Sequence, residues 1–251
     1  SLYYSQRRAI RGRYGENMDN NFTSQTQTRS TTVYDAGLHQ HMQNIYNRMV
    51  AGVLVTALTA WFVASSPALL SFFFGGPQLY LVIFAPVLIV WFGFNPQRMN
   101  SRQLMISFFS ISVLYGISFS VIGLLVAHET IARAFFIAAA MFAGLSIYGY
   151  TTKKNLDGMG AMAVMGIWGI FIAAVLNMFF QSTGMQNVIA AIGIIAFSGI
   201  TAWQTQSMKE MYSAHYGEEA NSRMGWSAAL SLYIRFIALF QYILHFLNNN
   251  R

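Results

Sequence analysis

One stretch late in the chain decides the class of fold: WSAALSLYIRFIALFQYILHFL, residues 226–247. At about 1.5 Å per residue, a helix of this length crosses the roughly 30 Å hydrocarbon core of a bilayer. Arg235 lies nine residues after the start of the stretch and twelve before its end, so it falls near the middle of the membrane. A charge at that depth costs at least about 2.5 kcal/mol unless another group neutralises it. What neutralises Arg235 is therefore the first functional question.

The composition of the chain is that of a membrane protein. Of its 251 residues, 55% are hydrophobic and 9% are charged, whereas soluble domains carry about 25% charged residues. The absence of cysteine excludes disulfides, thiolate metal sites and cysteine nucleophiles. The net charge of +7 is spread over an N-terminal segment and the ends of the apolar runs. It forms no basic face, so we expect no nucleic-acid partner.

Apolar runs long enough to cross a membrane recur along the chain. There are seven of them, at residues 49–70, 79–94, 104–127, 134–150, 159–180, 188–208 and 226–247. Turn-forming residues and charges separate them. The sequence therefore predicts an all-α polytopic membrane protein, with seven transmembrane helices in a domain of residues 49–251.

Two segments precede the predicted transmembrane domain. Residues 1–34 form a polar tail with five arginines and two acids, which we expect to be extended unless a partner orders it. Residues 35–48 form an amphipathic lead-in, because Leu38, Met42 and Ile45 recur at helical spacing. An Arg-rich, Ser-rich and acid-poor leader is typical of a trimmed mitochondrial presequence. The mitochondrial inner membrane is therefore favoured, and a bacterial inner membrane with a truncated tail is the alternative.

Lysine and arginine fall on alternate connections between the runs. Besides the tail, the basic connections hold Arg48, Arg98, Arg102, Lys153, Lys154, Lys209 and Arg223. The other connections hold only Arg133, beside Glu129, before Arg251 at the C-terminus. The positive-inside rule then predicts an N-terminus in the matrix or cytoplasm and, after seven crossings, a C-terminus on the opposite side.

Residues 148–160 read YGYTTKKNLDGMG and resemble the signature of the Bax-inhibitor family of membrane proteins, in its bacterial inner-membrane and mitochondrial branches. The segments VLNMF (175–179), AFSGITAW (196–203) and ALSLYI (229–234) continue the resemblance in the same order. It covers residues 35–251 and implies a seven-helix bundle with the last helix at its centre. The signature loop comprises Tyr148, Gly149, Tyr150, Thr151, Thr152, Lys153, Asp157 and Gly158.

The chain departs from the family at two positions. The resemblance implies that members with calcium-leak activity carry two aspartates that share a proton and gate a pore. The corresponding positions here hold Gln204 and Arg235. An amide does not titrate and a guanidinium stays charged, so a proton switch cannot operate at these two degenerate gate positions.

No carboxylate lies within any of the seven apolar runs, which weakens a calcium path because calcium prefers anionic oxygens. Asn177 and Gln206, together with Gln204, remain as a candidate polar path. The five histidines lie outside the runs or near their ends. We therefore predict no catalytic residue, no metal site, no cofactor and no enzyme activity.

Two functions stay open. The first is an accessory or structural subunit of a mitochondrial inner-membrane complex of respiratory type, in contact with other membrane-protein subunits. The second is a pH-independent calcium or cation leak channel or transporter. Within the bundle, the simplest partner for Arg235 is the side chain of Gln204. An anionic group from outside the chain, such as the phosphate of cardiolipin, is the alternative.

Overall fold

The computed structural model describes residues 36–250, apart from the side chains of Ile83 and Ala214. The predicted tail, 1–34, lies outside the described residues. Of the described residues, 36–41 belong to one unit and 42–250 to another. The described residues of the first unit, 36–41, are helical, and the account below concerns the second unit.

The described part of the chain is built of helices and contains no strand. The helices are α1 Ala36–Ala64, α2 Pro67–Phe74, α3 Gln78–Leu88 followed by the π-helical turn Ile89–Gly93, α4 Ser101–Phe119, α5 Ile122–Leu125, α6 His128–Thr151, α7 Asp157–Phe180, α8 Thr183–Met211 and α9 Gly217–Asn249. A short 3-10 turn, Ala214–Tyr216, joins α8 to α9. The prediction of an all-α polytopic membrane protein is confirmed.

Six helices in residues 36–250 are long and apolar enough to cross a membrane, namely α1, α4 with α5, α6, α7, α8 and α9. The predicted span 79–94 differs from these six. It consists of the 11-residue α3 and a 5-residue π-helical turn, which together reach about 24 Å at 1.5 Å per residue. Pro86 lies inside α3. Because proline has no N–H group, a backbone donor is missing just before the hydrogen-bonding pattern changes from α-helical to π-helical.

The short α3 nevertheless carries the chain across the bundle. Ser118, near the end of α4, donates a hydrogen bond to the carbonyl of Val82 near the start of α3, at 2.9 Å. Ser107, near the start of α4, donates to the carbonyl of Gly93 at 2.8 Å. These two bonds show that α3 runs antiparallel to α4. The described residues thus contain six helices long enough to cross a membrane and one shorter antiparallel segment, so the predicted count of seven spanning helices is not reproduced exactly.

Helix α9 lies at the centre of the bundle, as the resemblance implies. It is the most buried of the six long helices, whereas α7 is the least buried. The ring of Tyr233 contacts Phe108 on α4, with ring centres 5.6 Å apart. The ring of Phe236 contacts Phe142 on α6, also at 5.6 Å. Helix α9 thus packs against partners on several sides, which leaves few of its side chains for lipid.

One end of the bundle collects most of the positive charge, and we call it the basic end. Arg48 of α1 donates to the carbonyl of Ser222 at 3.0 Å and covers the ring of Trp226, both near the start of α9. Among the described lysines and arginines, those of the basic end are Arg48, Arg98, Arg102, Lys153, Lys154, Lys209 and Arg223. At the opposite end Arg133 pairs with Glu129 on the same helix. The predicted alternation of basic and non-basic connections thus places most of the described positive charges at one end of the bundle.

Candidate functional site

Arg235 is partly buried on α9 and binds within its own helix. Its Nη1 donates to the carbonyl of Ser231, one turn earlier, at 2.9 Å. Its Nε is buried and has no hydrogen-bond partner in the described structure. Among residues 36–250 no carboxylate pairs with Arg235, so its guanidinium keeps donors that no described group accepts.

Gln204 lies on the face of α8 that packs against α9. The ring of Tyr242 on α9 stacks on Phe197 of α8, with ring centres 5.5 Å apart, and packs against Gly193. The two helices are antiparallel, and a step of seven residues along each leads from Phe197 to Gln204 and from Tyr242 to Arg235. Since seven residues are about two helical turns, both positions lie on the faces along which α8 and α9 pack.

The predicted hydrogen bond between Gln204 and Arg235 is not formed among the described residues. Gln204 is partly buried, and the guanidinium uses the nearer carbonyl of Ser231. A long side chain on a helix points back toward the helix N-terminus, which brings the guanidinium to the carbonyl one turn earlier. The two degenerate gate positions therefore lie on the packed faces of α8 and α9, with no hydrogen bond between them among the described residues.

Gln206 binds the backbone of the signature loop. Its Oε1 accepts from the amide of Leu156 at 2.9 Å, and its Nε2 donates to the carbonyl of Lys154 at 2.9 Å. The side chain is 9% exposed, and both ends of its amide have partners. Its position is therefore that of an anchor for the loop between α6 and α7, and not of a group that faces Arg235.

The same loop is fixed to α8 at further points. The indole Nε1 of Trp203 donates to Oδ1 of Asp157 at 2.9 Å, and Lys209 donates to the carbonyl of Tyr150 at 3.2 Å. A side chain at Gly149 would collide with the carbonyl of Ala202, so this glycine permits close contact between α6 and α8. The family signature thus marks a rigid connection between α6, α7 and α8 at the basic end.

The remaining signature residues lie around this connection. The hydroxyl of Thr152 accepts from the amide of Lys154 at 3.3 Å and shapes the turn. The hydroxyl of Thr151 donates to the carbonyl of Ile147, one turn earlier, at 2.8 Å. The exposed members of the loop include Tyr148, Thr151, Lys153 and Gly158. These groups are distant in sequence from Arg235 and Gln204, and no described bond joins them.

Asn177, the third member of the candidate polar path, lies at the opposite end of the bundle. Its Oδ1 accepts from the amide of Ser182 at 3.0 Å, and Gln181 between them has a left-handed backbone with φ 48°. Asn177 also lines a cavity of about 900 Å³. The polar side chains around this cavity are Asn177, Gln181, Gln186, Gln241, Tyr242, His245 and Asn248. The cavity wall contains no carboxylate.

A second buried polar contact was not predicted from the sequence. The hydroxyls of Thr56 on α1 and Tyr233 on α9 lie 2.7 Å apart, and Tyr233 is fully buried. Thr56 also lies 2.9 Å from the carbonyl of Ser112 on α4. A hydroxyl in an apolar run usually binds one turn back on its own helix. Here it joins α1, α4 and α9, and only the folded arrangement shows this.

Comparison with known proteins gives consistent similarities. A family model described as "Inhibitor of apoptosis-promoting Bax1" matches residues 38–251. An uncharacterised Rickettsia prowazekii protein is 34% identical over 227 residues, which make up 90% of this chain and 96% of the relative. An uncharacterised Caulobacter vibrioides protein is 36% identical over 237 residues, with 89% and 94% coverage. The Escherichia coli inner membrane protein YbhL is 33% identical over 220 residues, with 86% and 94% coverage.

Proposed function

Because this integral membrane protein belongs to the Bax-inhibitor family, we propose that its bundle serves as an accessory or structural subunit of a larger inner-membrane assembly. The observation that carries the proposal is the pair Gln204 and Arg235. Arg235 carries a permanent positive charge and Gln204 an amide at the two positions where the resemblance implies aspartates. A guanidinium and an amide cannot release or share a proton at physiological pH, so the bundle lacks a proton-sensitive gate at these positions.

The distribution of acids supports the same proposal. The described acids are Glu129, Asp157, Glu210, Glu218 and Glu219, all in the first or last turns of their helices. Glu219 accepts from the amide of Ser101 at 2.8 Å, at the start of α4. Asp157 binds Trp203. Asp157 and Glu219 thus join helices at the basic end, and no carboxylate of residues 36–250 lies in the central turns of a helix, where it could serve as a ligand for a cation.

A cation leak is the second candidate, favoured by the cavity of about 900 Å³ at the opposite end. Its amide-rich wall is suited to a hydrated solute. Arg235 weakens this candidate, because a fixed charge near mid-membrane repels cations. Gln206 weakens it further, since its amide is already bound to the signature loop.

We place the basic end in the cytoplasm of a bacterium, or in the matrix if the protein is mitochondrial. The positive-inside rule supports the orientation. The bacterial origin of the relatives and the name of YbhL support a bacterial inner membrane. The mitochondrial respiratory-type complex rests on the composition of the tail alone and stays a prediction.

Calcium flux into proteoliposomes tests whether the proton-sensitive gate has been lost. The wild type is compared at pH 6 and pH 8 with the double variant Gln204→Asp, Arg235→Asp, and the variant Gln204→Asn serves as the control. We expect no flux from the wild type or the control, and pH-dependent flux from the double variant. Calcium entry through the wild type would contradict the subunit proposal and support the cation leak.

Contact with other subunits is tested by site-directed cross-linking, for which the chain is suited because it has no cysteine. We place the contact on α7, whose outer residues Met165 and Trp168 are 71% and 64% exposed. The variant Met165→Cys is expected to cross-link to another membrane protein in native membranes. The matched variant Leu58→Cys, on exposed α1, is expected not to. Equal products at both sites, or none at either, would refute this contact.

A further inference from the structure

A second cavity, of about 640 Å³, lies between α1, α6 and the central helix α9, in the half of the bundle away from the basic end. Its inner wall includes Phe236, Ile237 and Phe240 of α9, each at most 9% exposed. Trp61 of α1 and Phe136 of α6 also line it, and each is 70% exposed. The cavity therefore runs from the outer surface of the bundle to its central helix.

Small residues make room for this cavity. Ala57, Ala60 and Ala64 recur at helical spacing on α1, and all three line it. Gly123 and Ala132 line it as well, from α5 and α6. A methyl group at Gly123 would meet that of Ala64 at 3.8 Å, which is an ordinary contact. Larger side chains at these positions would fill the space between α1 and α6.

The length of the cavity matches one leaflet of a bilayer. Along α1 its wall extends from Val53 to Ser65, which is about 18 Å at 1.5 Å per residue. Ser65 follows the last residue of α1, and His128 of the wall is the first residue of α6, so the outer end of the cavity lies where these helices end. Half of a hydrocarbon core is about 15 Å thick. The cavity thus covers the depth that the acyl chains of one leaflet occupy.

The hydroxyl groups of the wall already bind protein groups. That of Thr56 lies 2.7 Å from a tyrosine hydroxyl on α9. Those of Ser65 and Ser120 each donate at 2.7 Å to a carbonyl of the preceding turn. Apart from His128 at the outer end and the indole of Trp61, the other side chains of the wall are apolar. Water needs about two to four polar partners in a cavity, whereas an apolar chain needs none and gains dispersion contacts.

The charges at the outer end balance each other. Glu129 and Arg133 of α6 form an ion pair and are 64% and 63% exposed. They are the sequence neighbours of His128 and Ala132, which line the cavity. This pair offers both signs of charge to a head group that carries both. An anionic lipid is attracted instead to the basic end, where most of the described lysines and arginines lie.

We propose that this cavity binds one acyl chain of a phospholipid with a zwitterionic head group, from the leaflet opposite the basic end. The head group lies beside Glu129 and Arg133, and the chain extends inward along Phe240 and Ile237 of α9. The volume lies within the range of about 300–1,000 Å³ that is typical of sites for a single ligand. The proposal does not rest on the subunit function, which concerns the outer face of α7.

Photochemical labelling of the full-length protein in proteoliposomes tests the proposal. The probe is phosphatidylethanolamine with a diazirine near the end of one acyl chain, and the adducts are located by mass spectrometry of peptides. Adducts are expected on Ile237 or Phe240, which lipid around the bundle does not reach because both are buried. Adducts on exposed Leu58 show that the probe reacts. Labelling of Leu58 without labelling of α9 would overturn the proposal.

Blocking the cavity provides the matched comparison. Ala60→Trp places a large side chain between the outer end and α9, and is expected to lower the labelling of α9 at least about fivefold. Ala140→Trp changes an exposed alanine of α6 that does not line the cavity, and is expected to keep the labelling. If Ala60→Trp does not fold, Ala57→Leu replaces it, with an expected decrease of at least about twofold. Labelling of α9 that is unchanged in the blocking variant would refute the site.

Two further comparisons identify the occupant. Phosphatidylglycerol with the same chain is expected to label α9 at least about threefold less at equal mole fraction, and Glu129→Gln is expected to reduce this difference. Equal labelling by both lipids in the wild type would refute the zwitterionic head group. Labelling of α9 in proteoliposomes but not in native membranes would assign the cavity to a helix of another protein, and would overturn a lipid chain as the native occupant.

Discussion

The substitution Gln206→Leu tests whether the signature loop is held by a single side chain. It leaves the amide of Leu156 and the carbonyl of Lys154 without their partners, which now lie at 2.9 Å each. Leu156 is 5% exposed, so its amide gains little from solvent. An unsatisfied buried polar group costs about 1–3 kcal/mol. Two such groups, one of them nearer the surface, predict a loss of roughly 2–4 kcal/mol of unfolding free energy.

The matched control is Gln204→Leu, two residues earlier on the same helix. Gln204 is partly buried and does not bind the loop, so its replacement is expected to change the unfolding free energy by less than about 0.5 kcal/mol. Both variants are compared with the wild type in the same buffer. A chain of this size loses about 2–4 °C in its unfolding midpoint per kcal/mol, so Gln206→Leu is expected to fall by roughly 4–16 °C.

Trypsin gives a local readout for the same pair of variants. Lys153 and Lys154 lie in the loop and are exposed, but cleavage requires the loop to detach from α8. We expect Gln206→Leu to be cut there at least about tenfold faster than the wild type, as a loss of more than 1.4 kcal/mol in local stability implies. If Gln206→Leu is no less stable and no more easily cut than Gln204→Leu, the anchoring role is wrong.

Two other contacts give sharp predictions. Gly149→Ala is expected to lower the free energy of unfolding by at least about 2 kcal/mol, because the added methyl group meets the carbonyl of Ala202. Gly144→Ala, whose methyl group meets nothing within 4 Å, is expected to be neutral in the same thermal unfolding assay. Similar losses at both glycines would contradict the close approach of α6 and α8. The bond between Thr56 and Tyr233 predicts a coupling of about 1 kcal/mol in a double-mutant cycle of Thr56→Val and Tyr233→Phe. Additive effects would show that this bond contributes nothing to stability.

Hydropathy predicted the long helices well because crossing a membrane is a matter of length and apolar content. It could not predict the break in the span 79–94, since Pro86 acts through a missing backbone donor and not through polarity. The π turn that follows is likewise a backbone feature. The resemblance placed α9 at the centre, and the structure agrees, with Leu232, Tyr233 and Leu239 all fully buried.

The polar residues of the spans were harder to interpret. Gln206 and Asn177 looked like parts of a path because an amide in an apolar run has no obvious partner. The partners of Gln206 are backbone groups 50 and 52 residues away, and those of Asn177 belong to a turn whose left-handed residue is Gln181. Side-chain chemistry and spacing do not specify such backbone partners. The depth of Arg235 could be read from the sequence, but its choice of Ser231 over Gln204 could not.

The central position of α9 has a consequence for biogenesis. The ribosome makes α9 after α1 through α8, so the earlier helices enter the membrane before the element that fills the middle of the bundle. Arg235 lowers the tendency of α9 to enter lipid by itself. Helix α8, which is inserted earlier and carries Gln204, offers α9 a more polar surface than lipid does. Helices α1 to α8 are therefore expected to stay loosely associated until α9 is inserted into the membrane. Defects in α9 are expected to expose an unfilled bundle to membrane proteases before any stable intermediate forms.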